Sequence, residues 1–504
     1  MGRRQRLHRG CRMYGRLTLY LMSAAVFAAA LLTGPPSFDS TDGAEFAVCG
    51  SRLETAHAPG YPLFLMLIRI ASMIMTPLYG HLRLINCLLG ALLIPLGTWA
   101  FKACGASFRA SAAASFLFAS SAPVMAQLNS LEVYPLAMAL AFTAVALRGT
   151  RLGPYGMSSS IFAGHPVSVL LLPLAWKGRP RAGILLPALI PATLLLYIPV
   201  SAAISSLAHY GHPSTPGELL GYFTMHSGRL SVPSPQAFYT AVSPAGPLTW
   251  AVMLALAAAA GRFRWQRDVP IALGVLFLAS YRIPDPAGQL WVLLLPLCLR
   301  CAEGMDRLCQ RWRPMRIVTA LAVLTASLSG IRLADRRQDD MAMRWTMDVF
   351  ASIPPGAVYR PVAHDCFYAA YATEILGMRK DIVLSDPFGN FFELPLPPPV
   401  PAYLGDRPVY ISRGWERQPD FRLHGLLFIP ANMEPPPPAW NTMAVFSFTG
   451  HSPDPMAMDL AAEAWARRMV QTHDPVLRDS FYRRAMELAG TEMTGERIEN
   501  LRDL

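Results

Sequence analysis

A series of charge-free apolar runs, separated by short basic clusters, constrains the fold of this 504-residue chain more than any other feature. The first run is Leu17–Thr33, and further runs continue as far as Ile331. A membrane-spanning helix needs about 20 mostly apolar residues, and several runs approach that length. Charged residues make up only 15% of the chain, compared with about 25% in soluble domains. The sequence therefore predicts a polytopic α-helical membrane protein.

The formal charge of +11 would also fit a nucleic-acid-binding protein. The Arg and Lys residues, however, lie between apolar runs, as the positive-inside rule predicts for cytoplasmic loops. Residues 1–16 contain six arginines, so the amino terminus is predicted to be cytoplasmic. The same rule applied to later clusters predicts about eleven spans, ending with Ile317–Ile331. A cleaved signal peptide is the alternative for the first run.

The predicted membrane part covers residues 1–332 and has two long loops on the outer face. These loops are expected at about residues 34–82 and at about residues 206–247. Within the first loop, Gly60–Leu78 is predicted to lie along the membrane, because a span there would reverse the sides of all later basic clusters. The run that ends at Gly164 is short and polar, and a re-entrant helix is the alternative there.

Residues 333–504 regain acids and prolines, which is typical of a soluble domain. The number of spans places this domain on the same outer face as the first loop. Three short strands are predicted, at Ala357–Arg360, Ile382–Leu384 and Pro408–Ile411. A Pro-rich bend follows at Leu394–Pro401, and a helical tail is expected from about Pro455. The domain is therefore expected to be of the α+β class.

Several common function classes lack their sequence signatures. The eight cysteines are scattered, and the close pair Cys298 and Cys301 has no second pair to complete a zinc site. No Walker loop, His-Glu-x-x-His or Gly-x-Ser-x-Gly sequence is present, which argues against ATP-driven transport and the common hydrolases. No metal site and no cofactor are predicted, although Asp42 and Glu45 could share a cation.

Three acids, Asp39, Asp42 and Glu45, follow the first apolar run in the segment Ser37–Phe64. Acids placed where a membrane helix meets the outer water indicate a functional site. The alternative interpretation is that they are ordinary solvated loop residues.

The sequence around these acids resembles a known family. TDGAEF, AHAPGYPLFLMLIR and RLINCLLGAL are similar to the first-loop motifs of membrane glycosyltransferases whose animal member is a protein O-mannosyltransferase of the endoplasmic reticulum. Supporting similarity lies in LNSLEVYPLAMAL, FAGHPVSVLLLP, HYGHPSTPGELLGYFTMHSGR, IPPGAVYR, HD, MRKDIVLSD and RPVYIS. The family's Asp-x-Gly-Glu is Asp42-Gly-Ala-Glu45 here, and Ala58 replaces one of its prolines.

The resemblance implies a GT-C fold, a polyprenyl-phosphate sugar as donor and a catalytic acid in the first outer loop. By analogy with the family, the sugar would be mannose and the acceptor a protein or glycan hydroxyl on the outer face. Expected partners are therefore the lipid-linked donor, membrane lipid and this acceptor.

Asp42 is predicted to be the catalytic base, because sugar transfer to a hydroxyl needs a proton acceptor beside it. Glu45 is predicted to position the acceptor or to hold a cation. Asp39 has no matching position in the family and is expected to be an ordinary loop residue.

The leaving phosphate needs positive charge, and the planar guanidinium of Arg binds oxyanions through two parallel hydrogen bonds. The candidates on the predicted outer face are Arg83, Arg229 and Arg282. Four more residues near that face are candidates for binding the sugar or phosphate: His57, His165, Glu132 and Tyr134. Snorkelling arginines and structural histidines at helix ends are the alternatives.

Three other functions remain open on the sequence, one of which is that of a non-catalytic scaffold. A related enzyme could modify a lipid or a cell-wall glycan instead of a protein. A transporter or flippase is the non-enzymatic alternative, although the paired broken helices and inverted repeats of such proteins are not visible.

Overall fold

The computed structural model describes residues 2–176, 189–204, 213–224, 230–281, 286–387, 391–392, 394–412, 420–435, 437–438, 455–472, 474–489, 494–495 and 498–499. The first two thirds of the chain are helical. The α-helices there are α1 (Gly2–Leu32), α2 (Gly43–Arg52), α3 (Pro62–Ile74), α4 (Tyr79–Leu82), α5 (Leu84–Ala103), α6 (Phe108–Ser120), α7 (Ala122–Leu128), α8 (Tyr134–Ala146), α9 (Gly153–Ser159), α10 (Leu172–Ala175), α11 (Tyr197–Ile204), α12 (Pro216–Thr224), α13 (Pro235–Val242), α14 (Pro247–Ala258), α15 (Trp265–Ser280), α16 (Trp291–Arg311) and α17 (Met315–Leu333). A π-helical turn, Ser160–Gly164, and a 3₁₀ helix, Pro166–Leu171, follow α9. Other 3₁₀ segments are Ile190–Leu196, Ser243–Ala245 and Pro286–Gln289.

The largest apolar core lies among these helices. Helix α5 packs against α1, α6 and α8, and α16 packs against α6. Phe142 of α8 meets the rings of Phe101 and Phe118 edge-on, at centroid distances of 5.5 and 5.1 Å. All three rings are fully buried, so this part of the molecule is stabilised by helix-on-helix packing.

The number of membrane spans differs from the prediction. Among the described residues, three helical stretches are long and apolar enough to cross a bilayer: Gly15–Leu32, Tyr79–Ala103 and Met315–Leu333. The count rises to five if two bent helix pairs, α6 with α7 and Pro235–Ala245 with α14, each form one span. The prediction of about eleven spans is therefore not confirmed. The predicted runs are apolar, but many of them form short helices. Helix α8, for example, has 13 residues and is about 20 Å long, whereas the hydrocarbon core of a bilayer is about 30 Å thick.

The stretch predicted to lie along the membrane forms α3, which has 13 residues. This length is about 20 Å, too short for a full span and in agreement with a helix that stays within the first loop. Its orientation relative to the bilayer stays a prediction.

The later part of the chain contains a mixed sheet. Its strands are β1 (Val358–Arg360), β2 (Val383–Asp386), β3 (Leu394–Pro395), β4 (Tyr403–Leu404), β5 (Arg407–Ile411), β6 (Phe421–His424) and β7 (Leu427–Pro430). The strand order is β3-β2-β1-β5-β7-β6, and β4 pairs with β5. Strands β3, β2, β1 and β5 are parallel, whereas β7 and β6 are antiparallel additions. The three strands predicted from the sequence are confirmed, and the Pro-rich bend contributes only the two-residue β3.

The helices of this part are α18 (Met341–Ala351), α19 (His364–Ala370), α20 (Pro455–Val470) and α21 (Pro475–Leu488), with a π-helical turn, Tyr371–Ile375, after α19. Helices α20 and α21 lie in the part of the chain for which a helical tail was predicted.

A second apolar core joins the first loop to the sheet-containing part. It contains residues of α2 and α3 together with residues of α18, α19 and α20. Phe38 of the loop packs its ring against those of Tyr368 and Tyr371, at 5.7 and 5.0 Å. Because both sides bury apolar side chains in one core, the first loop is held between the membrane helices and the sheet.

Candidate active site

The site is built around the start of α2. Asp42 is the N-cap residue of this helix, and its side chain is one third exposed. Glu45 lies three residues later, and its side chain is fully buried. Helix α2 ends at Arg52, and the next residue, Leu53, adopts a left-handed conformation that reverses the chain. The reversed chain brings His57 back to the start of the helix.

Glu45 binds His57 with both carboxylate oxygens. The backbone N–H of His57 donates to Oε1 at 2.7 Å, and Nδ1 of the ring lies 2.6 Å from Oε2. The buried carboxylate of Glu45 therefore orients the imidazole of His57. Each carboxylate oxygen of Glu45 thus has a partner on His57, and the predicted contact between Glu45 and the acceptor stays a prediction.

His57 also faces Asp42, with 3.6 Å between Nε2 and Oδ2. Burial opposes a charge on the imidazole, but Glu45 and Asp42 outweigh this effect and raise the pKa of His57 to about 9. His57 is therefore an imidazolium at neutral pH, and it partly balances the two acids.

A second histidine faces the other oxygen of Asp42. Nε2 of His364, the first residue of α19, lies 3.4 Å from Oδ1. His364 is not among the site residues predicted from the sequence. The only available signal was the His-Asp pair noted in the family resemblance, which carries no chemistry by itself.

An aromatic wall extends from His57. Tyr61 meets the His57 ring edge-on at 5.4 Å and stacks on His165 at 5.9 Å. Tyr134, at the start of α8, lies 5.2 Å from His165. The π-helical turn after α9 places His165 here, and its Nδ1 accepts a hydrogen bond from the backbone of Val167. Three of the predicted residues, His57, His165 and Tyr134, are thus brought together, and Tyr61 is an addition.

Glu132 lies beside this wall. It is buried, and its negative charge acts on both His57 and Tyr61. The side chain of Asn86 donates to the backbone carbonyls of Gln127, Ser130 and Glu132 and so fixes the turn that carries the acid.

Arg83 has a different role from the predicted one. Its buried guanidinium donates to the carbonyls of Ala30 and Leu31 at the end of α1 and to that of Asn129. These contacts join the end of α1 to the turn before α8. The prediction that Arg83 binds phosphate is therefore not supported, because the guanidinium is committed to backbone carbonyls. Arg229 and Arg282 lie outside the described residues, and their predicted role stays a prediction.

Asp39 is not an ordinary loop residue. It is fully buried, accepts from the hydroxyl of Thr41 at 2.6 Å and pairs with Arg336 at 3.0 Å. Arg336 follows α17 and also donates to the hydroxyl of Ser130. Asp39 thus ties the first loop to the end of the last membrane helix, a long-range contact that the sequence could not indicate.

The donor set of the site could also hold a cation. One ligand atom each from Asp42, Glu45 and His57 lie within 4.8 Å of one another. His57, however, already supplies a positive charge between the two acids, which reduces the need for a metal ion.

Comparison with known proteins places this site in a family context. Residues 42–149 match the model described as the N-terminal domain of protein O-mannosyl-transferase TMEM260. The matched range contains Asp42, Glu45, His57, Glu132 and Tyr134. The first-loop resemblance predicted from the motifs is therefore confirmed over this range. No functionally curated protein matches the chain.

The fold has counterparts among solved structures. The crystal structure of ArnT from Cupriavidus metallidurans in the apo state superposes with a TM-score of 0.50 and 13% identity, over 75% of this chain and 86% of that chain. The chain has the GT-C fold. A second ArnT structure from this organism, bound to undecaprenyl phosphate, has a TM-score of 0.48 and 14% identity, over 73% of this chain and 85% of that chain. The predicted fold class is thus confirmed in its architecture, though not in its number of spans.

Proposed function

We propose that this chain is an integral membrane glycosyltransferase that transfers a sugar, mannose, from a polyprenyl-phosphate donor to a Ser or Thr hydroxyl of a protein on the outer face. The observation that carries the proposal is Asp42: a partly exposed carboxylate at the start of α2, flanked by two histidines, in the segment that matches the O-mannosyl-transferase family model. The GT-C fold supports the same activity.

In the proposed reaction Asp42 accepts the proton of the acceptor hydroxyl. The hydroxyl oxygen attacks the anomeric carbon of the sugar as the bond from that carbon to the phosphate oxygen breaks. The phosphate leaves with the bonding electron pair and remains on the polyprenyl lipid. A direct displacement of this kind inverts the anomeric centre, and the base accounts for a factor of about 10²–10⁴ in rate.

The histidines and tyrosines around Asp42 provide a surface for the donor. Positive charge near the leaving phosphate stabilises the transition state, and the imidazolium of His57 is a charge of this sign in the described part of the site. Tyr61, Tyr134 and His165 provide ring faces and polar groups beside it. We propose that these groups hold the sugar and its phosphate, with Arg229 and Arg282 as further candidates.

The part of the chain after residue 333 is proposed to hold the acceptor. A cavity of about 690 Å³ lies between the end of α2 and the β2–β3 edge of the sheet, lined by Arg52, Thr373, Lys380, Phe391 and Phe392 among others. Helix α2 has 10 residues and spans about 15 Å from Asp42 to this cavity. An extended acceptor segment covers that distance with about five residues.

The proposal is tested by Asp42→Asn in membranes of a host that lacks the protein. The donor is polyprenyl-phosphate mannose with a radiolabelled sugar, and label transferred to protein is separated from label in lipid and glycan. We expect transfer to fall by about 100-fold or more, because the amide cannot accept the proton. Asp479→Asn, at an exposed site on α21, is the matched control and should keep wild-type activity.

Each remaining outcome has a distinct meaning. Undiminished transfer by Asp42→Asn would overturn the assignment of the base. Label that enters only lipid or glycan would replace the protein acceptor with one of these. If the wild type transfers none of several donor sugars, the chain is better explained as a transporter.

A further inference from the structure

His364 reaches the proposed base from the other end of the chain. Its Nε2 lies 3.4 Å from Oδ1 of Asp42, while Nε2 of His57 lies 3.6 Å from Oδ2. Each carboxylate oxygen of Asp42 therefore has its own imidazole. One imidazole comes from the first loop and the other from the sheet-containing part.

The backbone that presents His364 is strained. Ala363, the residue before it, has φ 54° and ψ −130°, a backbone conformation that residues other than glycine rarely adopt. The turn is held by Ser412 at the end of the neighbouring parallel strand β5, whose hydroxyl accepts from the backbone of Val362. Strain that is maintained by surrounding contacts is a frequent property of functional positions.

The helix that begins at His364 is fixed to the first loop along one face. Tyr368 and Tyr371 follow His364 by four and seven residues, a spacing that places all three on the same side. The hydroxyl of Tyr368 donates to the carbonyl of Ser40 at 2.8 Å, and that of Tyr371 accepts from the backbone of Tyr79 at 2.7 Å. These two contacts set the position of His364 relative to Asp42.

The side chain of His364 is only partly buried. It is about one third exposed, and its ring is supported edge-on by Phe367 at 5.4 Å. The imidazole is thus held on one side by Phe367 and is not enclosed by the surrounding core. A residue with only a packing role at this interface would be expected to be buried, as Tyr368 and Tyr371 are.

We propose that His364 is a positioning residue of the transfer reaction, which holds the carboxylate of Asp42 in the orientation that accepts the acceptor proton. The active site is then composed of two parts of the chain and is incomplete without α19. This inference rests on the proposed function, because it assigns His364 a role in the reaction of Asp42.

The test compares His364→Ala with His364→Gln in the full-length protein, purified in detergent and assayed with polyprenyl-phosphate mannose. Loss of an orienting contact typically lowers a rate by about 10- to 100-fold, so we expect His364→Ala to lower kcat by this factor and to leave the KM for the donor unchanged. His364→Gln should recover part of kcat, because its amide N–H lies near the position of Nε2. The unfolding temperature should remain that of the wild type in both variants.

Val400→Ala is the control for a structural effect. It shortens a side chain in a separate buried cluster of the sheet, which contains no residue of the first loop, and should lower the unfolding temperature while kcat stays near the wild-type value. A wild-type kcat in His364→Ala would overturn the role of His364 and leave the proposed function unaffected. So would a loss of kcat that accompanies a lower unfolding temperature and is not recovered by Gln. Absence of transfer by the wild type would instead overturn the proposed function, and the inference with it.

Discussion

At the scale of single residues, the charge of the site depends on which partner each acid binds and on how exposed the acid is. Asp39 pairs with Arg336, and Glu45 is bound by His57, whereas Asp42 faces two imidazoles and remains partly exposed. Three acids within seven residues therefore have three different environments. Only Asp42 combines exposure with partners that leave it able to accept a proton.

The stability of the protein should depend on pH through His57. Its folded-state pKa of about 9 is above the ordinary value of 6.5, so its stabilising contribution is fully present below about pH 6.5 and is lost as the pH rises through 9. We expect the unfolding temperature in detergent to fall over this interval. His57→Gln should reduce that dependence, as measured by thermal unfolding at several pH values.

His424→Gln, on the strand β6, is the matched control, and its pH dependence should follow the wild type. If the unfolding temperature of His57→Gln depends on pH as that of the wild type does, then His57 is not the charged group that stabilises the Glu45–His57–Asp42 cluster.

The sequence predicted the residue types of the site better than their roles. Asp42, His57, His165 and Tyr134 could be identified because a motif or a helix boundary marked each of them. The hydrogen bonds of Arg83 to backbone carbonyls could not be predicted, because they depend on where the end of α1 lies in space. His364 was missed for the same kind of reason, since its contact with Asp42 joins residues more than 300 positions apart.

At the scale of elements, close backbone contacts set the positions of the site residues. A Cβ atom at Gly164 would lie 2.8 Å from the Cα of Ala137, and one at Gly156 would lie 2.9 Å from the Cα of Ala144. The segment from α9 to the π-helical turn therefore lies directly against α8. This contact places His165 beside Tyr134, and it exists only because neither glycine has a side chain.

Gly164→Ala should disturb this contact. Because the clashing atom belongs to the backbone of α8, the helices must separate, which we expect to cost about 1–3 kcal/mol of stability. Transfer activity should fall as well, since His165 follows directly. The measurements are thermal unfolding and sugar transfer.

Gly80→Ala is the control, because a Cβ atom at that position meets no atom within 4 Å. Equal stability of Gly164→Ala and the wild type would mean that α8 and the π-helical turn are less closely packed than the structure shows.

At the scale of the whole molecule, hydropathy predicted the class of the chain but not its count of spans. Composition and the alternation of apolar and basic segments are properties of the sequence, so a polytopic helical protein could be predicted from them. Whether a run such as that of α8 crosses a bilayer depends on helix breaks and bends. The 69° bend between α6 and α7 is an example that periodicity does not reveal.

The predicted topology can be tested by reporter fusions. The positive-inside rule places the amino terminus in the cytoplasm and the carboxyl terminus on the outer face. Alkaline phosphatase, which is active only outside the cytoplasm, should therefore be active when fused after Leu504 and inactive when fused after Gly105, beside the basic Lys102 and Arg109. Activity at Gly105 together with inactivity at Leu504 would reverse the orientation of the whole chain.

The shared core of α2, α18 and α19 has a consequence for synthesis of the protein. Phe38 and Phe46 are made early, but the aromatic residues that complete their core, Tyr368 and Tyr371, are added more than 300 residues later. At a translation rate of about 5–20 residues per second, this delay lasts about 15–60 s. During that interval the nascent chain holds Asp42 in an unfinished loop. For the proposed reaction, sugar transfer is therefore expected to begin only after the last third of the chain has been made.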